Sequence, residues 1–144
     1  MSWAVPPREV GNEMVPGDRV RVLVVDDEPS ICLALKIALT RAGHDVVAVH
    51  SGEEAQKRIM TEYFDVLIAD LRMKDMRGDV VYYLALGAQP HLRNATVFLT
   101  GDITDAAERL IQATSCTLLR KPFDLAEIIT VVRKLCPRAR PASA

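Results

Sequence analysis

The chain has 144 residues, 49% of them apolar and 26% charged, with a formal net charge of −1. This length suits one domain around one core, and the near-neutral charge gives no bulk attraction to nucleic acid or to a membrane surface. No apolar run approaches the length that spans a bilayer, and the first residues, MSWAVPPREVGNEMVPGD, lack the apolar core of a signal peptide, so a cytoplasmic location is expected.

Residues 1–19 carry Pro6, Pro7, Gly11, Pro16 and Gly17 with no period, which predicts a flexible leader. Five short, β-branched apolar runs follow, at 20–25, 46–49, 66–69, 96–99 and 116–119. Their unbroken apolarity suits strands covered on both faces, as in a parallel sheet. Helical spacing fills the gaps. Ile31, Leu35, Ala38 and Leu39 define the first helix, and Ala55, Ile59 and Met60 the second. Val80, Val81, Leu84 and Leu86 define the third, and Ala106, Ala107, Leu110 and Ile111 the fourth. Leu125, Ile128, Ile129, Val132 and Leu135 define the fifth. Pro29 suits the first turn of helix one and Gly43 its stop. Ser51 with Glu54, and Asp124 with Glu127, have the spacing of capping boxes. The final residues, PRARPASA, predict a disordered tail over 137–144.

Strand and helix thus alternate five times over residues 20–136, which predicts an α/β, doubly wound sandwich with a parallel sheet. Cys32, Cys116 and Cys136 are odd in number and form no CxxC pair, and are read as buried free thiols. His44, His50 and His91 are isolated and are read as loop or surface positions.

Ligands of such folds bind beyond the carboxyl ends of the strands. Strand one ends at Asp26 and Asp27, strand three at Asp70, strand four at Thr100 and strand five at Lys121. Strand two ends at His50 and Ser51, a plain helix cap. An aspartate before a helix is commonly only a cap, and Asp27 alone would be read so. The five residues together call for another account. Three carboxylates at one edge suit a hard cation such as Mg²⁺, and the lysine and hydroxyl suit an anion such as phosphate. A cation would also offset the mutual repulsion of the acidic run in VLVVDDEPS.

In this order and spacing, VLVVDDEPS, DVLIADLRMKDMRG, VFLTGD and LLRKPFD resemble the receiver domain of two-component response regulators, over about residues 19–136. The resemblance implies a flavodoxin-like, five-stranded parallel sheet in the order 2-1-3-4-5 with five helices. It implies that Asp70 accepts a phosphoryl group from a sensor histidine kinase or a phosphotransfer protein. Asp26, Asp27, Asp70 and the backbone carbonyl of Arg72 would hold Mg²⁺. Thr100 would turn toward the phosphoryl group, Lys121 would pair with it, and Pro122 would follow a cis bond. Such a protein is not an enzyme beyond its own phosphoryl acceptance and loss.

Some positions depart from the family pattern. Leu118 stands where receivers usually carry an aromatic residue, which weakens the expected relay from Thr100. Lys74 stands where proline is common. With Arg72 and Arg77 it makes a basic loop that steers an acidic partner or donor, or is simply solvated. Gly101 leaves room beside Thr100. With no output module expected after residue 137, nucleic-acid binding is not expected, and a homodimer through helix four, strand five and helix five is an option. A free-standing regulator and a receiver of a hybrid histidine kinase both fit. The competing readings are a phosphorylation-independent interaction module and a Mg²⁺-dependent phosphohydrolase. The latter needs an acid two residues after the nucleophile, where Asp70 has Arg72.

Overall fold

The computed structural model describes residues 19–136. The predicted leader and tail lie outside the described residues, apart from Arg19. Five strands, β1 (Arg21–Val25), β2 (Asp45–Val49), β3 (Val66–Asp70), β4 (Thr96–Thr100) and β5 (Thr117–Arg120), alternate with five helices. These are α1 (Pro29–Arg41), α2 (Gly52–Thr61), α3 (Gly78–Ala88), α4 (Asp105–Thr114) and α5 (Leu125–Leu135). A 3₁₀ turn over Pro90–Asn94, which the periodicity does not anticipate, starts at a proline that suits the first helical position. The sheet is parallel throughout, in the order β2-β1-β3-β4-β5.

The continuous apolar strands are explained by two separate cores. Leu23 and Val25 of β1 join Leu67, Ala69 and Phe98 on the face covered by α2 and α3. Val22 and Val24 join Val66, Ile68, Val97 and Leu99 on the face covered by α1 and α5. Alternate side chains point to opposite faces, so an unbroken apolar strand feeds both cores. The edge strands behave differently: most of β2 and part of β5 are only half-buried.

Local signals set the helix ends. Ser51 Oγ accepts the Glu54 N–H at 3.1 Å, and the Glu54 carboxylate accepts the His50 N–H at 3.3 Å. The return bond comes from the residue before the cap rather than from the Ser51 N–H, so the capping box is formed only in part. Gly43 follows α1 at φ +101°, a conformation L side chains rarely adopt. Asp124 begins α5 but makes no side-chain cap bond, so the second predicted capping box is not formed.

Three other expectations are corrected. His44 is buried, not at the surface: it lies between the turn after α1 and β2, whose first residue, Asp45, bonds the Val20 carbonyl. Cys32 and Cys116 are buried free thiols, but Cys136 is only half-buried. In α3, the inward face is Val81, Tyr82, Ala85 and Ala88, while Val80 and Leu84 are exposed. The helix is apolar nearly all round, so its period does not select a face.

Candidate functional site

β1 and β3 are neighbours, and each ends in acid. The final residue of β3 is Asp70 itself, and Asp26 and Asp27 follow directly on β1. One carboxylate oxygen from each of the three lies within 4.8 Å of the others. Asp26 is fully buried and Asp70 is 4% exposed. Backbone amides fix the three groups. Asp26 Oδ1 accepts the Glu28 N–H at 2.9 Å, Asp27 Oδ2 the Lys74 N–H at 3.0 Å, and Asp70 Oδ1 the Arg72 N–H at 3.4 Å.

Lys121 enters from the end of β5. Its Nζ lies 2.8 Å from Asp26 Oδ2, 2.8 Å from Glu28 Oε1 and 3.4 Å from Asp70 Oδ2. Asp26, Asp27, Glu28 and Asp70 thus place more negative charge around the ammonium than it can neutralise. Asp26 Oδ2, though close to Nζ, receives no well-directed hydrogen bond. A buried carboxylate oxygen in that state favours a further cation. The donor set is all hard oxygen, which fits Mg²⁺.

The electrostatics agree. Burial, then the negative charge of Asp26, pushes the Asp70 carboxyl up to about 6, against the opposing pull of Lys121. Burial alone would lower the Lys121 ammonium, but the close Asp26 carboxylate and the bond to Glu28 outweigh that and raise it. Behind the acids, the Cys32 thiol lies 3.1 Å from the Asp26 carbonyl oxygen and 3.5 Å from that of Val49. Burial and the Asp26 charge push this thiol up to about 11.

The remaining predicted positions surround the acids. Thr100 Oγ1 donates to the Asp102 carbonyl at 2.6 Å and accepts the Asp102 N–H at 3.2 Å, so its hydroxyl is engaged by its own loop. It lines a cavity of about 240 Å³ with Leu71, Arg72, Arg77 and Thr104. Gly101 is exposed, with open space where a side chain would project. Leu118 is half-buried opposite Phe98 in the sheet register and packs against the α2–α3 core. The Lys121–Pro122 peptide bond is cis. Arg77 forms a bidentate pair with Asp79, both contacts at 3.0 Å.

Three further residues shape the site. Glu28, the third acid of the VDDE run, holds Lys121. A Cβ on Gly78 would collide with the carbonyl of Asp70, so only glycine lets α3 begin this close to the end of β3. Asp75 reaches across to α2 and accepts the N–H groups of Gly52 and Glu53, each at 3.0 Å. The Glu28 signal lay in the acidic run itself, whereas Gly78 and Asp75 carried none short of the tertiary structure.

The family model described as the response regulator receiver domain matches residues 22–133. The chain belongs to that family. Among curated relatives, the transcriptional regulatory protein TrcR of Mycobacterium tuberculosis is 33% identical over 125 residues, covering 85% of this chain and 48% of the relative. The response regulator protein PilR of Pseudomonas aeruginosa is 32% identical over 130 residues, covering 86% of this chain and 28% of the relative. The receiver therefore spans about half or less of these relatives' length. Among solved structures, a response regulator receiver protein from Sinorhizobium medicae aligns with a TM-score of 0.73 at 27% identity, covering 85% of this chain and 98% of that one. A CheY-like receiver domain protein from Methanospirillum hungatei has a TM-score of 0.75 at 21% identity, covering 83% and 96%, a likeness of fold. Among the described residues, no helix of this receiver is long and apolar enough to cross a membrane.

Proposed function

We propose that this receiver accepts a phosphoryl group on Asp70, with Mg²⁺, from a sensor histidine kinase or a phosphotransfer protein, and signals through a protein contact. The observation that carries the reading is the convergence of Asp26, Asp27 and Asp70 within 4.8 Å, with Lys121 Nζ 3.4 Å from Asp70. An Asp70 oxygen forms the new bond to phosphorus as the bond from phosphorus to the donor imidazole nitrogen breaks, and the electron pair leaves with the imidazole. Phosphoryl transfer has a loose transition state, so positioning and charge neutralisation do most of the catalysis. Asp26, Asp27, Asp70 and the Arg72 carbonyl would hold Mg²⁺, which would supply the positive charge needed for an anionic donor to approach three acids.

The chain's own groups do the rest. The Arg72 N–H orients Asp70 through Oδ1. Lys121 is already within reach of Asp70 Oδ2, and its ammonium re-pairs with the phosphoryl oxygens as they arrive. Thr100 must release Asp102 to bond the phosphoryl group, and that exchange moves the loop leading into α4. Because Leu118 has no aromatic ring or hydroxyl to follow Thr100, α4 carries the response in this reading. A cytoplasmic location fits such a role.

A second reading, a phosphorylation-independent interaction module, is favoured by the closed Thr100–Asp102 pair and by Leu118. One experiment separates the two. The protein is incubated with Mg²⁺ and acetyl phosphate and weighed intact, beside Asp70→Asn. One added phosphoryl group in the parent alone supports the acceptor reading. No gain from acetyl phosphate, nor from a phosphohistidine donor, with Mg²⁺ bound, supports the interaction module.

A further inference from the structure

We infer that Asp75 is a positioning residue for the acidic site: it fastens the β3–α3 loop to the N-terminus of α2, and through Lys74 it sets where the Asp27 carboxylate stands. The inference rests on the metal-dependent acceptor reading above and extends it to a residue outside the acidic cluster.

The geometry runs through consecutive residues. The Lys74 N–H holds Asp27 Oδ2 at 3.0 Å. The next residue, Asp75, grips α2 with both carboxylate oxygens, Oδ1 on Gly52 and Oδ2 on Glu53, each at 3.0 Å. The residue after that, Met76, lies so close to Gly52 that a Cβ on the glycine would sit 2.6 Å from the methionine Cβ. Three successive loop residues therefore bond to the site, bond to α2 and pack on α2. Consecutive Cα atoms are fixed about 3.8 Å apart, so Asp75 cannot shift without moving the Lys74 amide.

The chemistry of the grip is strong for an exposed residue. The first N–H groups of a helix have no partner within it, and a carboxylate there also meets the positive end of the helix dipole. The bonds from Gly52 and Glu53 hold the Asp75 carboxyl below its ordinary range. α2 already has its own cap in Ser51, which bonds the Glu54 N–H. Asp75 takes the two amides that Ser51 leaves over, and it comes from the loop that surrounds the acids. Removing it costs α2 two bonds and frees the loop that holds Asp27. Removing Ser51 weakens the same helix end but leaves the loop attached.

That contrast supplies the test. Mg²⁺ alone is titrated into the full chain and followed by backbone amide NMR, for the parent, Asp75→Ala, Asp75→Asn and Ser51→Ala. Hydrogen exchange of the Lys74 amide is measured in each without metal. The expected result is a Mg²⁺ affinity reduced roughly tenfold in Asp75→Ala, the scale seen when a partner of a metal ligand is lost. Asp75→Asn keeps an acceptor oxygen and recovers part of that loss. Ser51→Ala binds Mg²⁺ as the parent does, and Lys74 exchange accelerates only in the Asp75 variants. Equal Mg²⁺ affinity in parent and Asp75→Ala overturns the inference, as does an equal loss in Ser51→Ala, which would make the effect one of helix stability. A parent that binds no Mg²⁺ overturns the functional reading and this inference with it, an outcome distinct from either of the others.

Discussion

Lys121 Nζ sits 0.6 Å nearer to Oδ2 of Asp26 than to Oδ2 of Asp70, at 2.8 Å against 3.4 Å. The lysine that faces the candidate acceptor is thus held first by the fully buried neighbour. It is a structural cation as well as a candidate phosphate ligand, and the two roles make separable predictions.

Lys121→Ala leaves Asp26 buried without its cation. Breaking a buried pair by removing one partner typically costs about 3–5 kcal/mol, and the 13% exposure of the lysine side chain places this case at the lower end. Saturating Mg²⁺ should restore part of the loss, because the metal binds the folded acids and not the unfolded chain. Urea unfolding with and without Mg²⁺ measures both. A variant as stable as the parent without metal would show that Asp26 does not depend on Lys121.

Asp70→Asn should stabilise the metal-free protein at neutral pH. The Asp70 carboxyl titrates near 6 in the fold, above the 3.8 of the free group, so the folded state binds its proton more tightly than the unfolded state. Its favourable contribution is present below pH 4 and is lost as pH rises through 6. The gain at pH 7.5 is on the order of 3 kcal/mol, since each pH unit of displacement is worth about 1.4 kcal/mol. Denaturant midpoints from pH 4 to 8 check it: the Asp70 slope should vanish in the variant.

His44 gives the opposite slope. Burial, then the nearby charge of Arg133, lowers its pKa, so the ring is neutral in the fold. Its Nε2 is buried with no hydrogen-bond partner, which leaves no acceptor for a second proton there. Stability is therefore lost as pH falls below the ordinary value of 6.5, where the unfolded state gains a proton more readily. In an Asp70→Asn background, His44→Leu should flatten stability between pH 6.5 and 5. A slope unchanged by the substitution would assign the acid sensitivity elsewhere.

Two glycines of α3 should respond with opposite sign to the same change. Gly78→Ala drives a methyl group into the Asp70 carbonyl, where only backbone can yield, and should cost about 1–3 kcal/mol along with phosphoryl acceptance. Gly87→Ala meets nothing within 4 Å and should add about 0.5–1 kcal/mol through helix propensity. Thermal unfolding of the pair against the parent is sufficient.

The acids and Lys121 were readable because each is polar where an apolar strand stops, and the rule for parallel sheets brings those ends together. Even so, β3 and β4 run one residue further than the apolar runs, so that Asp70 and Thr100 are the last strand residues. The inward face of α3 was not readable, because VVYYLAL offers apolar residues on every side and the sheet alone selects among them. His44 reads as a loop or surface position because it stands isolated in the sequence; it does lie between α1 and β2, where its N–H bonds the Leu39 carbonyl, but its side chain is buried. Asp75 was invisible for a different reason. Its partners are backbone amides more than twenty positions earlier in the chain, and amides carry no sequence signature.

The buried Cys32 thiol, held against the carbonyls of Asp26 and Val49, makes the acidic corner a clock. A thiol pushed up to about 11 is almost entirely protonated at neutral pH, and the thiolate is the form that alkylating reagents attack. Cys32 should therefore label only when α1 lifts from the end of β1 and water reaches the sulfur. The labelling half-life then measures how often that corner opens. Occupancy of the site by Mg²⁺ should lengthen it by the factor by which the ion favours the closed form, giving the ion's binding energy from a stopwatch and a mass spectrum.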